Sequence, residues 1–118
     1  MTKTSEIRLR VEMDDDGIET IRWDADDGPE PGEQSAKAMI LALWDADKRN
    51  ALRIDLWTKD LSVDDMNDFF FQTLLSMADT YRNATNDANL MVEIQLFARD
   101  FADKAARAAG AQGRAPGS

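Results

Sequence analysis

The chain has no cysteine and no histidine. Without cysteine there is no disulfide, no thiol nucleophile and no thiolate metal site. Without histidine the commonest general base and the commonest transition-metal ligand are both missing. Basic residues are in deficit, with 14 Lys and Arg against 23 Asp and Glu and a net charge of −9. A nucleic-acid partner is therefore not expected, because phosphate binding needs a Lys/Arg surface. Anionic membranes are disfavoured for the same reason. Long apolar runs are also lacking: the longest is Ala38 to Trp44, far short of a bilayer span. The first sixteen residues hold no apolar segment of signal-peptide kind, so a cytoplasmic protein without membrane insertion is expected.

What is present points to one α+β domain over residues 1–104, in a chain of 118 residues. Residues 5–13 alternate, with Ile7, Leu9, Val11 and Met13 on one face and Glu6, Arg8, Arg10 and Glu12 on the other. Asp14-Asp15-Asp16-Gly17 supplies a turn, and a second strand carries Ile21, Trp23 and Ala25 inward. Residues 26–35, with two prolines and two glycines, read as a loop without regular structure.

Residues 37–45 are apolar and compatible with helix or strand, and the cleanly alternating residues 51–58 favour a second hairpin. Its polar loop runs from Asp45 to Asn50, with Asn50 suited to a left-handed position. Ser62 caps a helix, with Asp64 and Asp65 in its first turn. Val63, Met66, Phe70, Leu74, Met77 and Tyr81 recur at helical spacing along it, and Phe69, Phe71 and Leu75 widen the stripe beyond a narrow seam, as in a face that packs on a sheet and on a neighbour at once. Thr85 or Asn86 caps a second helix with the stripe Leu90, Ile94, Phe97 and Phe101. The Ala/Gly/Arg-rich residues 105–118 read as a flexible tail. The expected architecture is a four-stranded, mainly antiparallel sheet followed by two helices on one face.

Acidic clusters invite a calcium reading. Glu12, Asp14, Asp16 and Gly17 fall at four offsets of an EF-hand loop, but its twelfth position is Trp23 and the flanks are strands, so the match fails. Asp24, Asp26 and Asp27 read as a solvated turn. Asp55 is the best single acid for proton chemistry, and the simpler reading pairs it with Arg53 or Lys59. No Gly-rich phosphate loop and no serine constellation occurs. No catalytic, cofactor or metal residue is assigned, and none of the three functions is expected.

The tryptophans remain. If Trp44 pairs with Ala51, then Met39, Leu41, Leu43, Leu52, Ile54 and Leu56 share one face. Trp44, Arg53, Asp55 and Trp57 share the other, with Ile40. A face mixing large aromatics with charges is typical of interaction surfaces, and a core role for the tryptophans is the competing reading. These four residues are the candidate protein-binding site.

Several stretches resemble the gliding motility-associated GldC family: Ser5-Glu6-Ile7, "IRW" at 21–23, "LWD" at 43–45, "LRIDLWTKDL" at 52–61, "MNDFFFQTL" at 66–74 and "MADTYRNAT" at 77–85. The resemblance covers about residues 4–104, and the tail departs from it. It implies a small cytoplasmic protein linked to the gliding machinery of Bacteroidetes and their relatives, with no enzymatic activity and no catalytic residues to carry over. The expected function is an accessory or adaptor that binds protein partners of a motility or secretion machinery, with a homodimer compatible. Four strands followed by two helices is also similar, in topology alone, to the SecB export chaperone, which binds unfolded clients. A carboxylate-based metal-dependent enzyme is the least favoured reading.

Overall fold

The order of elements in the computed structural model, which describes residues 2–111, is five strands followed by two helices. The fold is α+β, as the sequence predicts. The strands are β1 (Ile7–Asp14), β2 (Gly17–Ala25), β3 (Gln34–Ala36), β4 (Ala38–Asp45) and β5 (Asn50–Trp57). The helices are α1 (Val63–Thr85) and α2 (Ala88–Ala111). Two compact units divide the chain between Leu61 and Ser62.

In the first unit, β1 and β2 form the expected antiparallel hairpin. Leu9 lies opposite Trp23 and Val11 opposite Ile21, so the apolar residues of both strands share a face. Gly17 adopts φ 143°, a left-handed value that suits glycine. Asp14 closes the turn, its carboxylate accepting from the Asp16 and Gly17 amides at 2.9 and 3.1 Å. A bulge follows, because Glu12 pairs with Thr20 and Met13 with Ile18, leaving Glu19 extra. The polar face is a charge ladder in which Arg8 contacts Asp24 and Asp26 at 2.5 and 2.8 Å and Arg10 contacts Glu33 at 2.6 Å.

The strand count differs from the expected four. Residues 34–36, three positions too short to show alternation, add β3 to the free edge of β2, with Ala36 opposite Ile21. The first sheet thus has order β1-β2-β3, while β4 and β5 form a separate two-stranded ribbon. Residues 38–45 are strand rather than helix, which settles the ambiguity of that apolar run. Ile21 sits between Val11 and Ala36 at 1% exposure, the largest fully buried side chain among the described residues. The segment after β5 ties the ribbon's open end down. Thr58 N–H donates to Lys37 O at 2.8 Å and Lys59 N–H to Ile18 O at 2.9 Å, while the Lys59 ammonium pairs with Asp14.

The second unit is a helical hairpin. Ser62 is extended and its hydroxyl accepts from the Asp65 amide at 3.0 Å, the expected N-cap. At the other end Asn86 is left-handed (φ 60°) and its N–H returns to Arg82 O at 2.7 Å, closing α1. Neither Thr85 nor Asn86 therefore caps α2. Asp87 does, accepting from the Leu90 amide at 3.0 Å. Ala78 and Ala98 are fully buried, as small residues are where helices approach closely. Phe70 of α1 stacks on Phe101 of α2 with centroids 6.2 Å apart. The helix α2 continues past Ala105 to Ala111, against the expectation of a tail from 105, because alanine, lysine and arginine all favour helix. The rest of the expected tail, 112–118, lies outside the described residues.

Candidate functional site

The β4–β5 ribbon carries all four candidate residues. Its register places Ala38 opposite Trp57, Ile40 opposite Asp55, Ala42 opposite Arg53 and Trp44 opposite Ala51. Directly opposite residues share a face, so Trp44, Arg53, Asp55 and Trp57 do lie on one side of the ribbon, with Ile40. The register inferred from the loop is the observed one. Trp44 and Trp57 are 61% and 55% exposed, so neither is a core side chain in the described chain. They stand at opposite ends of the ribbon, six pair positions apart, which is about 20 Å at the strand rise. Ala38 and Ala51 stand opposite the two rings, and between them lie Ala42, the exposed Ile40 and one ion pair.

That ion pair is Arg53 with Asp55, at 2.7 Å between residues two apart on the same strand and face. The hydrogen bond that Arg53 donates to Asp55, and then the charge of Asp55, raise the Arg53 guanidinium above its ordinary value. Of the two partners expected for Asp55, Arg53 is the one used, and Lys59 pairs with Asp14 instead. An exposed pair of this kind adds little stability.

The loop Ala46 to Arg49 holds the Trp44 end. The Asp45 carboxylate accepts from the Asp47 and Lys48 amides at 3.0 and 3.2 Å. The left-handed residue is Arg49 (φ 54°) and not Asn50, which already pairs with Asp45 as the first residue of β5. This brings the Arg49 guanidinium over the Trp44 ring, 5.6 Å from its centroid. Arg49 therefore belongs to the face, although nothing in the residue order marks it. Ala38, Ala42 and Ala51 were legible once the register was known, because they are the cross-strand partners of Trp57, Arg53 and Trp44.

The opposite face of the ribbon is aliphatic. Leu43, Leu52 and Ile54 on it are exposed, while Met39, Leu41 and Leu56 are half-buried.

Of the acids that invited metal chemistry, Asp14, Asp24, Asp26 and Asp27 are engaged with basic side chains, as is Asp60. Lys59, and then the Asp16 amide, hold the Asp14 carboxyl below its usual range. Arg8, and then the Glu6 amide, do the same for Asp26. The Thr58 hydroxyl, and then Lys37, do so for Asp60. Asp27 contacts Lys3 at 3.2 Å. Among the described residues no three carboxylates converge as a bound cation would require. No described helix is long and apolar enough to cross a membrane.

Comparison with known proteins agrees with the resemblance read from the sequence. The family described as gliding motility-associated protein GldC-like matches residues 18–107, from the start of β2 into the last turns of α2. The matched span includes both tryptophans of the face, the whole ribbon and nearly all of the helical hairpin, and leaves β1 outside. No curated protein and no solved structure gives a significant match. The match covers well over half of the chain, and the protein belongs to the gliding motility-associated GldC-like family.

Proposed function

We propose that this chain is a cytoplasmic, non-enzymatic accessory protein that holds a partner protein of a motility or secretion machinery on the Trp44–Trp57 face. One observation carries the reading: two tryptophans, each more than half exposed, flank a fixed Arg53–Asp55 pair on one side of a strand ribbon. Exposed tryptophans at such sites dominate interface energies, because each offers a large apolar area at little conformational cost. The face between them, carrying Ile40 and Ala42 beside the ion pair, is long enough for an extended segment of about six residues, since that length spans about 20 Å. Arg53 and Asp55 then orient the segment through its own charges.

The test is affinity capture from the native host with the full chain as bait, beside Trp57→Ala, Trp44→Ala and the remote control Lys3→Ala. Both tryptophan variants should lose the partner that wild type and the control retain. With Trp57 already 55% exposed, its truncation should cost about 1–2 kcal/mol of stability, below the ~3–5 kcal/mol of a core aromatic. An unchanged set of captured proteins in both folded variants would sink the proposal.

A second reading, a chaperone of SecB type, is favoured by the exposed aliphatic residues Leu43, Leu52 and Ile54 on the reverse face. It predicts that the chain suppresses aggregation of unfolded clients at stoichiometric ratios. No effect on aggregation would remove it.

A further inference from the structure

The helical hairpin of the second unit has a continuous apolar side. Along α1, Val63, Phe70 and Met77 are seven residues apart, and along α2 so are Leu90 and Phe97. All five are exposed. They open on the same side: Leu74, Met77 and Tyr81 of α1 and Leu90, Ile94 and Phe97 of α2 line one cleft of about 410 Å³, with Glu93 at its α2 edge, and the Phe70–Phe101 stack continues it. The other side of the hairpin is mixed, with Asp64, Asp68 and Phe71 beside Ala102, Ala105 and Ala109, and Val92 and Leu96 are exposed elsewhere on α2.

We propose that a second copy of this chain covers the apolar side, the two hairpins closing a four-helix bundle about a two-fold axis. Four features select a copy as the occupant. A seven-residue spacing keeps side chains aligned toward another helix crossing at about 20°, whereas a sheet demands no such register. Two antiparallel helices present half of a bundle, and an identical half completes it with the same patch on both partners. The α1 stripe Val63, Met66, Phe70, Leu74, Met77 and Tyr81 carries no charge, so two chains of net charge −9 can meet along it, with the exposed Glu93 at the α2 edge of the cleft turned to solvent. At the observed exposures the five side chains and their half-buried neighbours present on the order of 700 Å² per protomer, close to the ~800 Å² per partner of a standard interface.

The experiment uses the full chain in light scattering and sedimentation velocity, where the proposal expects twice the 13.2 kDa chain mass at micromolar concentration. Met77→Glu and Phe97→Glu should each weaken the dimer at least tenfold while far-UV circular dichroism stays helical. Because the chain lacks cysteine, Met77→Cys carries a single thiol, and a short bis-maleimide should convert it to a covalent dimer. Val92→Cys, on the far side of α2, should remain uncrosslinked. If a glutamate variant fails to fold, the wild-type mass and the two cysteine variants decide the matter. A monomeric wild type overturns the proposal. So does a dimer that crosslinks through Val92→Cys or through Leu43→Cys on the strand ribbon and not through Met77→Cys, for then the contact lies elsewhere.

Discussion

Replacing Ile21 by alanine tests where the core of the first unit sits. The side chain is 1% exposed, held between Val11 on β1 and Ala36 on β3. Truncation deletes three carbons, worth about 2.4 kcal/mol in transfer free energy at ~0.8 kcal/mol per group. The vacancy adds a further cavity term of about 1–2 kcal/mol, because Ala36 has nothing to extend into it and the stiff Val11 is fixed in register. The expected loss is therefore about 3–4 kcal/mol. That is a large share of the stability of a unit of some sixty residues, for which about 3–9 kcal/mol is typical. All three tryptophans lie in this unit, so urea unfolding followed by tryptophan fluorescence reads it directly. Ile7→Ala is the control: Ile7 is 74% exposed on the same face of the neighbouring strand and should change stability by about 0.5 kcal/mol or less. A loss below about 1 kcal/mol at Ile21, or equal losses at both positions, would refute the placement of the core.

Other consequences follow from the caps and the charge ladder. Ser62→Ala removes the hydroxyl that accepts from the Asp65 amide and should cost about 1 kcal/mol, read from the thermal transition at 222 nm. Asn86 is left-handed, so Asn86→Ala should destabilise by about 1 kcal/mol, while Asn86→Gly should leave the midpoint at or slightly above wild type. The depressed carboxyls of Asp14, Asp26 and Asp60 set the response to acid. A carboxyl held lower in the folded state contributes fully above its unfolded value, near 4, and loses that contribution as pH falls through the folded one. The denaturation midpoint should thus stay level from neutrality to about pH 4 and then decline, and Asp14→Asn should flatten that decline. A midpoint that falls between pH 7 and 5 would contradict the assignment.

The parts of the fold that were legible in the sequence share a cause. Wherever a period of two or of three to four runs for eight residues or more, the element and its faces followed, as in β1, β2, β5 and α1. The ribbon register also followed, because a polar loop bounded by Trp44 and Ala51 leaves little freedom. Illegible features were those decided by counting or by tertiary pairing. Residues 34–36 become β3 only because the edge of β2 accepts them. Asn50 has the better left-handed propensity, yet the pairing of Asp45 with Asn50 passes that conformation to Arg49. Asn86 has a side chain fit for an N-cap, but its aptitude for positive φ serves the end of α1, and Asp87 is left to start α2. Of the candidate site, the shared face of Trp44, Arg53, Asp55 and Trp57 was readable. The Arg49–Trp44 contact was not, since it depends on a loop conformation.

The two tryptophans do not stand on equal footing. A two-stranded ribbon alone is marginal in water, so its order depends on what anchors it. Here the anchor lies at one end. The strand pair Ala38–Trp57 is followed at once by the Thr58 bond to Lys37 and the Lys59 bond to Ile18, and the Lys59–Asp14 and Lys37–Asp60 pairs reinforce them. Thr58 is itself buried, and its hydroxyl donates to Asp60 at 2.7 Å. Trp57 is therefore held beside a fixed point of the first sheet, whereas Trp44 stands at the hairpin tip with only Arg49 and the Asp45 turn to order it. A partner seated on this face would meet a preorganised ring at Trp57 and a less constrained one at Trp44. Ordering a mobile side chain on binding subtracts from its contribution. Truncation at Trp57 should accordingly weaken capture more than truncation at Trp44, even though Trp44 is the more exposed of the two.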